Sequence, residues 1–170
     1  MSCVNNIARR GFLLLLAVAP LLAAQQAPEK PILTVRGDLP SERTFTLEQL
    51  RAMPRASVET TEDGVAKRYE GVWLHEALAA AGAPMGDELR GKALAGYVLA
   101  VARDGYQVVF GLAEIDPVFR EPGVLLADQV DGRPLFPYQG PLRLVVAGDK
   151  RGARSIRMLE RLEVVRLRAE

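Results

Sequence analysis

The sequence contains a single cysteine, Cys3, and it lies in a segment that we expect the mature protein to lose. Without it the chain has no thiol, which excludes disulfides, thiolate metal ligands and a cysteine nucleophile. His75 is the only histidine. A metal site built from histidine and cysteine side chains is therefore excluded as well, because it would need two or three such ligands.

The sequence also lacks an excess of charge of either sign. The full chain carries a net charge of +1, and loss of Arg9 and Arg10 with the leader takes it to −1. A nearly neutral domain has no overall attraction for nucleic acid or anionic lipid. Aromatic residues are not interleaved with basic ones either, so the sequence predicts no nucleic-acid partner.

The N-terminus has the pattern of an export signal over residues 1–24. Two arginines precede the apolar run 11–18, and small residues end at Ala24. The run is short for a membrane span, although an uncleaved anchor is an alternative, and the arginine pair leaves the general and twin-arginine export routes open. We predict cleavage after Ala24, a tether over residues 25–30, one domain over 31–170 and a periplasmic or secreted protein.

Strand patterns outnumber helix patterns in the rest of the chain. Thr46, with Gln49 three residues later, predicts the start of a short helix that ends before Pro54. Because strands come as hairpins with few helices between them, the predicted fold is α+β with mixed β-sheets, not a doubly wound parallel sheet. Segment 131–141 is predicted to be an ordered loop or a mobile lid. The predicted strands are 31–36, 57–61, 65–69, 97–102, 106–110, 124–127, 142–147 and 162–167, and the other helical segments are 73–81 and 112–115.

Several side chains are candidates for ligand contact, and each has a structural alternative. Trp73 could stack on a planar ligand or cover the start of a helix. Asp104 and Tyr106 could line the mouth of a pocket, or serve only the tight turn that contains Gly105. Glu114 lies in an apolar context, so if buried it must pair with an arginine or face a ligand.

The densest basic segment, residues 149–157, follows a predicted buried strand. Arg154 and Arg157 are three residues apart and could converge on one anion or on a planar heterocycle. The alternative is a solvated turn whose arginines pair with Glu160 and Glu163.

Five segments, taken in order, resemble the molybdopterin-binding domain of the sulfite oxidase superfamily. The similarity spans residues 31–167. The segments are Tyr69-Glu70-Gly71-Val72-Trp73-Leu74, Asp104-Gly105-Tyr106, Leu125-Leu126-Ala127 with Asp131-Gly132-Arg133-Pro134-Leu135, Gly140-Pro141-Leu142-Arg143-Leu144-Val145-Val146 and Gly152-Ala153-Arg154-Ser155-Ile156-Arg157.

The resemblance implies a pterin pocket and identifies residues that would line it. It assigns the basic positions to Arg154 and Arg157 and brings Arg143 and Tyr138 close to them. Ser155 stands where some small relatives carry an aromatic residue, so stacking would come from Trp73 or Tyr106. The predicted pterin-binding residues are Trp73, Asp104, Tyr106, Glu114, Tyr138, Arg143, Arg154, Ser155 and Arg157.

The resemblance fails at the metal. Family oxidases place a molybdenum-ligating cysteine shortly before the segment that corresponds to Tyr69-Glu70-Gly71, and here that stretch is 57–62, with hydroxyls and carboxylates in place of a soft thiolate. The cysteine-less exported branch of the family resembles periplasmic pterin-binding proteins.

We therefore expect a pterin-binding sensor or accessory signalling protein with no catalytic residue and no metal. Its ligand would be a molybdopterin-like or free reduced pterin. Its partner would be a membrane-bound signalling protein or an oxidoreductase. The alternatives are a molybdopterin-dependent oxidoreductase, or a subunit of one, with atypical metal ligation, and an interaction module with an empty pocket.

Overall fold

The computed structural model describes residues 29–167. The predicted signal peptide and most of the predicted tether lie outside these residues. The helices are α1 (Leu47–Arg51), α2 (Leu74–Ala80) and α3 (Leu112–Ile115), with 3-10 turns at Gly86–Glu88, Gly91–Ala95 and Gly152–Arg154. The strands are β1 (Leu33–Gly37), β2 (Arg43–Phe45), β3 (Arg55–Glu62), β4 (Val65–Trp73), β5 (Gly96–Ala102), β6 (Gln107–Gly111), β7 (Val124–Val130), β8 (Arg133–Pro134), β9 (Arg143–Val146) and β10 (Leu159–Arg166).

The strands form two five-stranded sheets, and the predicted α+β class is confirmed. The first sheet has the order β2-β1-β10-β5-β6, and the second has the order β3-β4-β7-β8 with β9 also paired to β7. β1 and β10 run parallel, whereas the other pairs within the described residues are antiparallel. The parallel pair joins the first and last strands of the domain, which hairpin patterns alone do not predict.

A local sequence signal accounts for the start of α1. The Thr46 hydroxyl accepts a hydrogen bond from the Gln49 N–H, and the Gln49 side chain accepts one from the Thr46 N–H, as the predicted capping box requires. β3 and β4 are longer than the alternation indicated, because β4 continues to Trp73. The two-residue β8 forms inside the predicted loop 131–141, and the three-residue β2 was missed because its pattern is too short to register.

The core consists of a large apolar cluster and a smaller one beside the second sheet. Gly71 lies where β4 and β7 meet at a register shift, and a Cβ there would lie 2.1 Å from the Leu126 carbonyl oxygen. Glycine is thus required for this close approach of two strands. Trp73 is half-buried and packs against the smaller cluster. Among residues 29–167, no helix is long and apolar enough to cross a membrane.

Candidate functional site

A polar cavity of about 510 Å³ lies where elements of both sheets meet. The β3–β4 turn borders it on one side, the β5–β6 turn on another, and the segment that follows β9 on a third. Its lining contains hydroxyl, carboxylate and cationic groups. The lining residues are Thr60, Thr61, Glu62, Asp63, Asp104, Tyr106, Arg143, Val146, Asp149, Lys150, Gly152, Ala153, Ser155, Ile156 and Arg157.

A buried arginine network forms the base of this cavity. Arg143, on β9, is 3% exposed and pairs through Nη2 with the carboxylate of Glu62. Its Nη1 lies 2.6 Å from the hydroxyl of Tyr69, and that hydroxyl donates to Glu62 at 3.1 Å. The guanidinium also lies over the Tyr69 ring at 4.8 Å, while its Nε is buried without a hydrogen-bond partner within residues 29–167. Arg143 is therefore committed mainly to the protein.

The network sets the charges of its members. Burial alone would raise the pKa of Glu62, but the hydrogen bond and charge of Arg143 outweigh burial and hold it below its usual 4.5. Burial, with the nearby Glu62 carboxylate, raises the pKa of Tyr69 to about 12. The Tyr69 hydroxyl thus remains a hydrogen-bond donor, and the Glu62–Arg143 pair remains ionic at neutral pH.

A second arginine, Arg154, holds the segment after β9 in place. Its Nε and Nη2 each lie 2.8 Å from the Asp149 carboxylate, and its Nη1 lies 2.5 Å from Glu114. The Arg154 hydrogen bond lowers the pKa of Asp149 below its usual value, and the two carboxylates raise the pKa of Arg154. Arg154 also lies over the Phe110 ring at 5.5 Å. Arg154 is thus engaged by two carboxylates of the protein and, unlike Arg157, does not line the cavity.

These ion pairs give a pH prediction. The folded-state pKa of Glu62 and of Asp149 lies below the usual values of 4.5 and 3.8. Depressed pKa values contribute stability that is present above the unfolded values and lost as pH falls through the folded ones. We expect the free energy of unfolding, measured by urea titration, to fall below about pH 4.5. Glu62→Gln should flatten this fall, and an unchanged acid slope would contradict the prediction.

The β5–β6 turn is tied to the segment after β9. The Tyr106 hydroxyl donates to the Ala153 carbonyl at 2.8 Å, and the Asp104 carboxylate accepts the Tyr106 N–H at 3.0 Å. The Ser155 hydroxyl accepts the Val146 N–H at 3.1 Å. Gly105 has a φ of +87°, as the turn chemistry predicted. These contacts fix three of the predicted residues on the cavity wall.

Two cations of the lining have no ion pair within residues 29–167. Lys150 and Arg157 are both exposed, and the contact of Arg157 is with the Tyr138 ring, 5.8 Å from the ring centroid. Lys150 was not among the predicted residues, although it lies in the basic segment. Nor were Thr60 and Thr61, which belong to the stretch 57–62 where family oxidases carry their cysteine, or Asp63, which directly follows that stretch.

The structure brings five of the nine predicted residues together around the cavity and leaves four outside its lining. The first group is Asp104, Tyr106, Arg143, Ser155 and Arg157, and the second is Trp73, Glu114, Tyr138 and Arg154. Of the two roles predicted for Glu114, pairing with an arginine or facing a ligand, the structure shows the first, since Glu114 pairs with Arg154. Trp73 packs against the smaller core cluster. Among the described residues, no arginine of segment 149–157 pairs with Glu160 or Glu163. Glu163 pairs instead with Arg36 and Arg161.

Comparison with solved structures shows the fold. The chain is similar to a chain in the crystal structure of the sulfane dehydrogenase SoxCD from Paracoccus pantotrophus, with a TM-score of 0.60 and 22% identity. The match covers 78% of this chain but only 37% of the other, so this chain spans little more than a third of that protein's length. The comparison with curated proteins found no match.

The family comparison corrects the functional expectation. The model of the oxidoreductase molybdopterin binding domain family matches residues 21–170. That match overturns the expected pterin sensor without molybdenum chemistry and supports the alternative, an oxidoreductase type. It supports a pterin cofactor and gives no support to the expectation that metal is absent. This chain belongs to the oxidoreductase molybdopterin-binding domain family.

Proposed function

We propose that this chain is the cofactor-holding domain of a molybdopterin-dependent oxidoreductase, with the polar cavity as its cofactor site. The observation that carries this proposal is that two cations, Lys150 and Arg157, line a cavity of about 510 Å³. Neither forms an ion pair with any of the described residues. An anionic ligand would neutralise them. Molybdopterin has a flat pterin ring and a phosphate, and it meets that requirement.

The lining suits the organic part of such a cofactor. Lys150 and Arg157 would bind the phosphate, and Asp104 or Asp63 would accept hydrogen bonds from the amino and N–H groups of the pterin edge. Gly152 leaves the backbone open to the ligand, since a Cβ there would have no neighbour within 4 Å. In this arrangement Arg143 and Arg154 act indirectly, through the positions of β9 and of the loop that follows it.

The lining does not suit a thiolate-ligated metal. Within residues 29–167, no group of three or more His, Cys, Asp or Glu side chains could hold a metal ion. The stretch where family oxidases carry their ligand presents the hydroxyls of Thr60 and Thr61 and a Glu62 already paired with Arg143. Hydroxyl oxygens do not substitute for a soft thiolate. The side chains therefore fit the pterin and its phosphate, and we derive no step at the metal.

The test is the content of the purified protein. We would produce the full chain in a bacterium that makes molybdopterin, release bound pterin by denaturation, and measure it by fluorescence alongside molybdenum by mass spectrometry. Stoichiometric pterin in the protein would support the proposal. Empty protein from cells that load another molybdenum enzyme would contradict it. Redox assays with a dye acceptor should include reduced sulfur compounds, since a sulfane dehydrogenase shares the fold.

We also propose that the protein is exported and meets a redox partner protein outside the cytoplasm. The support is the leader pattern of residues 1–24. The mature protein isolated from a periplasmic fraction should begin at Gln25, as intact-mass measurement and N-terminal sequencing would reveal. A variant without residues 2–24 should stay in the cytoplasm. Recovery of the full-length chain from the periplasm would contradict cleavage after Ala24.

A further inference from the structure

We infer that Phe136 and Tyr138 are positioning residues that hold the Arg157 guanidinium ready for the ligand. The inference rests on the proposed function, because it assigns a role at the same cavity. It adds Phe136, which neither the sequence motifs nor the cavity lining singles out. Both aromatic residues lie in the segment between β8 and β9.

Tyr138 contacts both of the other side chains, Phe136 and Arg157. The rings of Phe136 and Tyr138 have centroids 5.7 Å apart and planes 14° apart. The guanidinium carbon of Arg157 lies 5.8 Å from the Tyr138 centroid. Arg157 lines the cavity and Tyr138 does not. Tyr138 thus contacts the arginine without lining the cavity, so this contact does not take up space that a ligand would need.

The backbone connects the same two segments. The N–H of Met158 donates to the Gln139 carbonyl at 2.7 Å. These two residues directly follow Arg157 and Tyr138 in the chain, so the hydrogen bond joins the two segments beside the ring contact. The Phe136 carbonyl accepts the N–H groups of Gln139 and Gly140 at 2.8 and 2.9 Å. A tight turn thus presents the aromatic rings and is bonded directly to the residue after Arg157, so the stack has a fixed base.

Core packing does not account for the aromatic pair. Phe136 is 56% exposed and Tyr138 is 57% exposed, so neither ring is used to fill the interior. Arg157 has no carboxylate partner in residues 29–167 that would orient it. A flexible arginine loses rotamer freedom when it binds a ligand. A guanidinium already stacked on a ring loses less, and its donors and second face remain available.

The test measures binding of neopterin phosphate, a fluorescent pterin with a phosphate, to the full-length protein by fluorescence titration. Phe136→Ala should weaken binding roughly two- to fivefold and Tyr138→Ala at least as much, the scale of an exposed stacking contact. Arg157→Ala should weaken it roughly tenfold or more. The matched control is Phe119→Ala, another exposed aromatic that lies outside the cavity lining, and its binding should be unchanged.

A double-mutant cycle separates positioning from a general structural effect. In the Arg157→Ala background, Phe136→Ala should have no further effect on affinity, because the ring acts through the arginine. Phe136→Tyr should restore affinity, and thermal melting should show all variants folded. Unchanged affinity in Phe136→Ala, or equal effects in both backgrounds, would overturn the inference while leaving the proposed function intact. No binding by the wild-type protein would overturn both.

Discussion

Replacing Glu62 with alanine is expected to lower the free energy of unfolding by about 3 kcal/mol, the largest stability effect that we predict for one side chain. The change leaves Arg143, only 3% exposed, without the carboxylate that compensates its charge. A buried charge left without its partner is costly, whereas a surface ion pair contributes little. Urea unfolding at pH 7 measures the difference.

Glu59 supplies the matched control for this prediction. It lies on the same strand, is exposed, and forms no ion pair with the described residues. Glu59→Ala should therefore change the free energy of unfolding by about 0.5 kcal/mol or less. Adding Arg143→Met to Glu62→Ala should recover part of the loss, because both charges are then gone. Equal costs for Glu59→Ala and Glu62→Ala would refute the proposed role of the network.

Reversing the charge of both free cations, in the variant Lys150→Glu/Arg157→Glu, is expected to weaken pterin phosphate binding at least 100-fold. Each charge-assisted hydrogen bond contributes about 1.5–3 kcal/mol, and two of them are lost while repulsion is added. Stability should change little, because both side chains are exposed and form no ion pair within residues 29–167. Fluorescence titration with neopterin phosphate, together with the pterin content of purified protein, measures the effect.

Arg151 provides the control in this case. It is exposed, lies on the same segment between Lys150 and Gly152, and does not line the cavity. Arg151→Glu changes the net charge without changing the site, so it should weaken binding only slightly through long-range repulsion. If Arg151→Glu and the double reversal weaken binding equally, the cavity is not the phosphate site. Unaltered binding in the double reversal would have the same meaning.

The spacing of Arg154 and Arg157 in the sequence did not predict how their side chains are arranged in the fold. Their spacing suggested that Arg154 and Arg157 converge on one ligand. A 3-10 turn ends at Arg154, and Ser155 adopts a non-helical φ of −83° and ψ of +87°, so the backbone between the two arginines is not a regular helix. Arg154 turns to Asp149 and Glu114, while Arg157 turns to Tyr138. Only the free arginine remains suited to an anion.

The functional correction has a similar origin. The missing cysteine favours a protein without molybdenum chemistry, whereas the order of the motifs indicates the oxidoreductase family. The family match over residues 21–170 gives the class, while the absent thiolate concerns one metal ligand. In the proposed function, the residue types around the cavity bind the pterin and the phosphate. One absent donor therefore says less about the class than the family match over residues 21–170 does.

The sequence by itself determined the local elements and the available chemistry. The Thr46 capping box, the Asp63-Gly64 turn and the strand alternations depend on hydrogen bonds and periodicities among near neighbours, so they can be read without a fold. Tertiary structure alone decided which charges are neutralised. Arg143 pairs with Glu62, 81 residues away, and Arg154 with Glu114, 40 residues away. Ion pairing and burial depend on how distant strands pack, and that packing leaves Lys150 and Arg157 without an ion pair within residues 29–167.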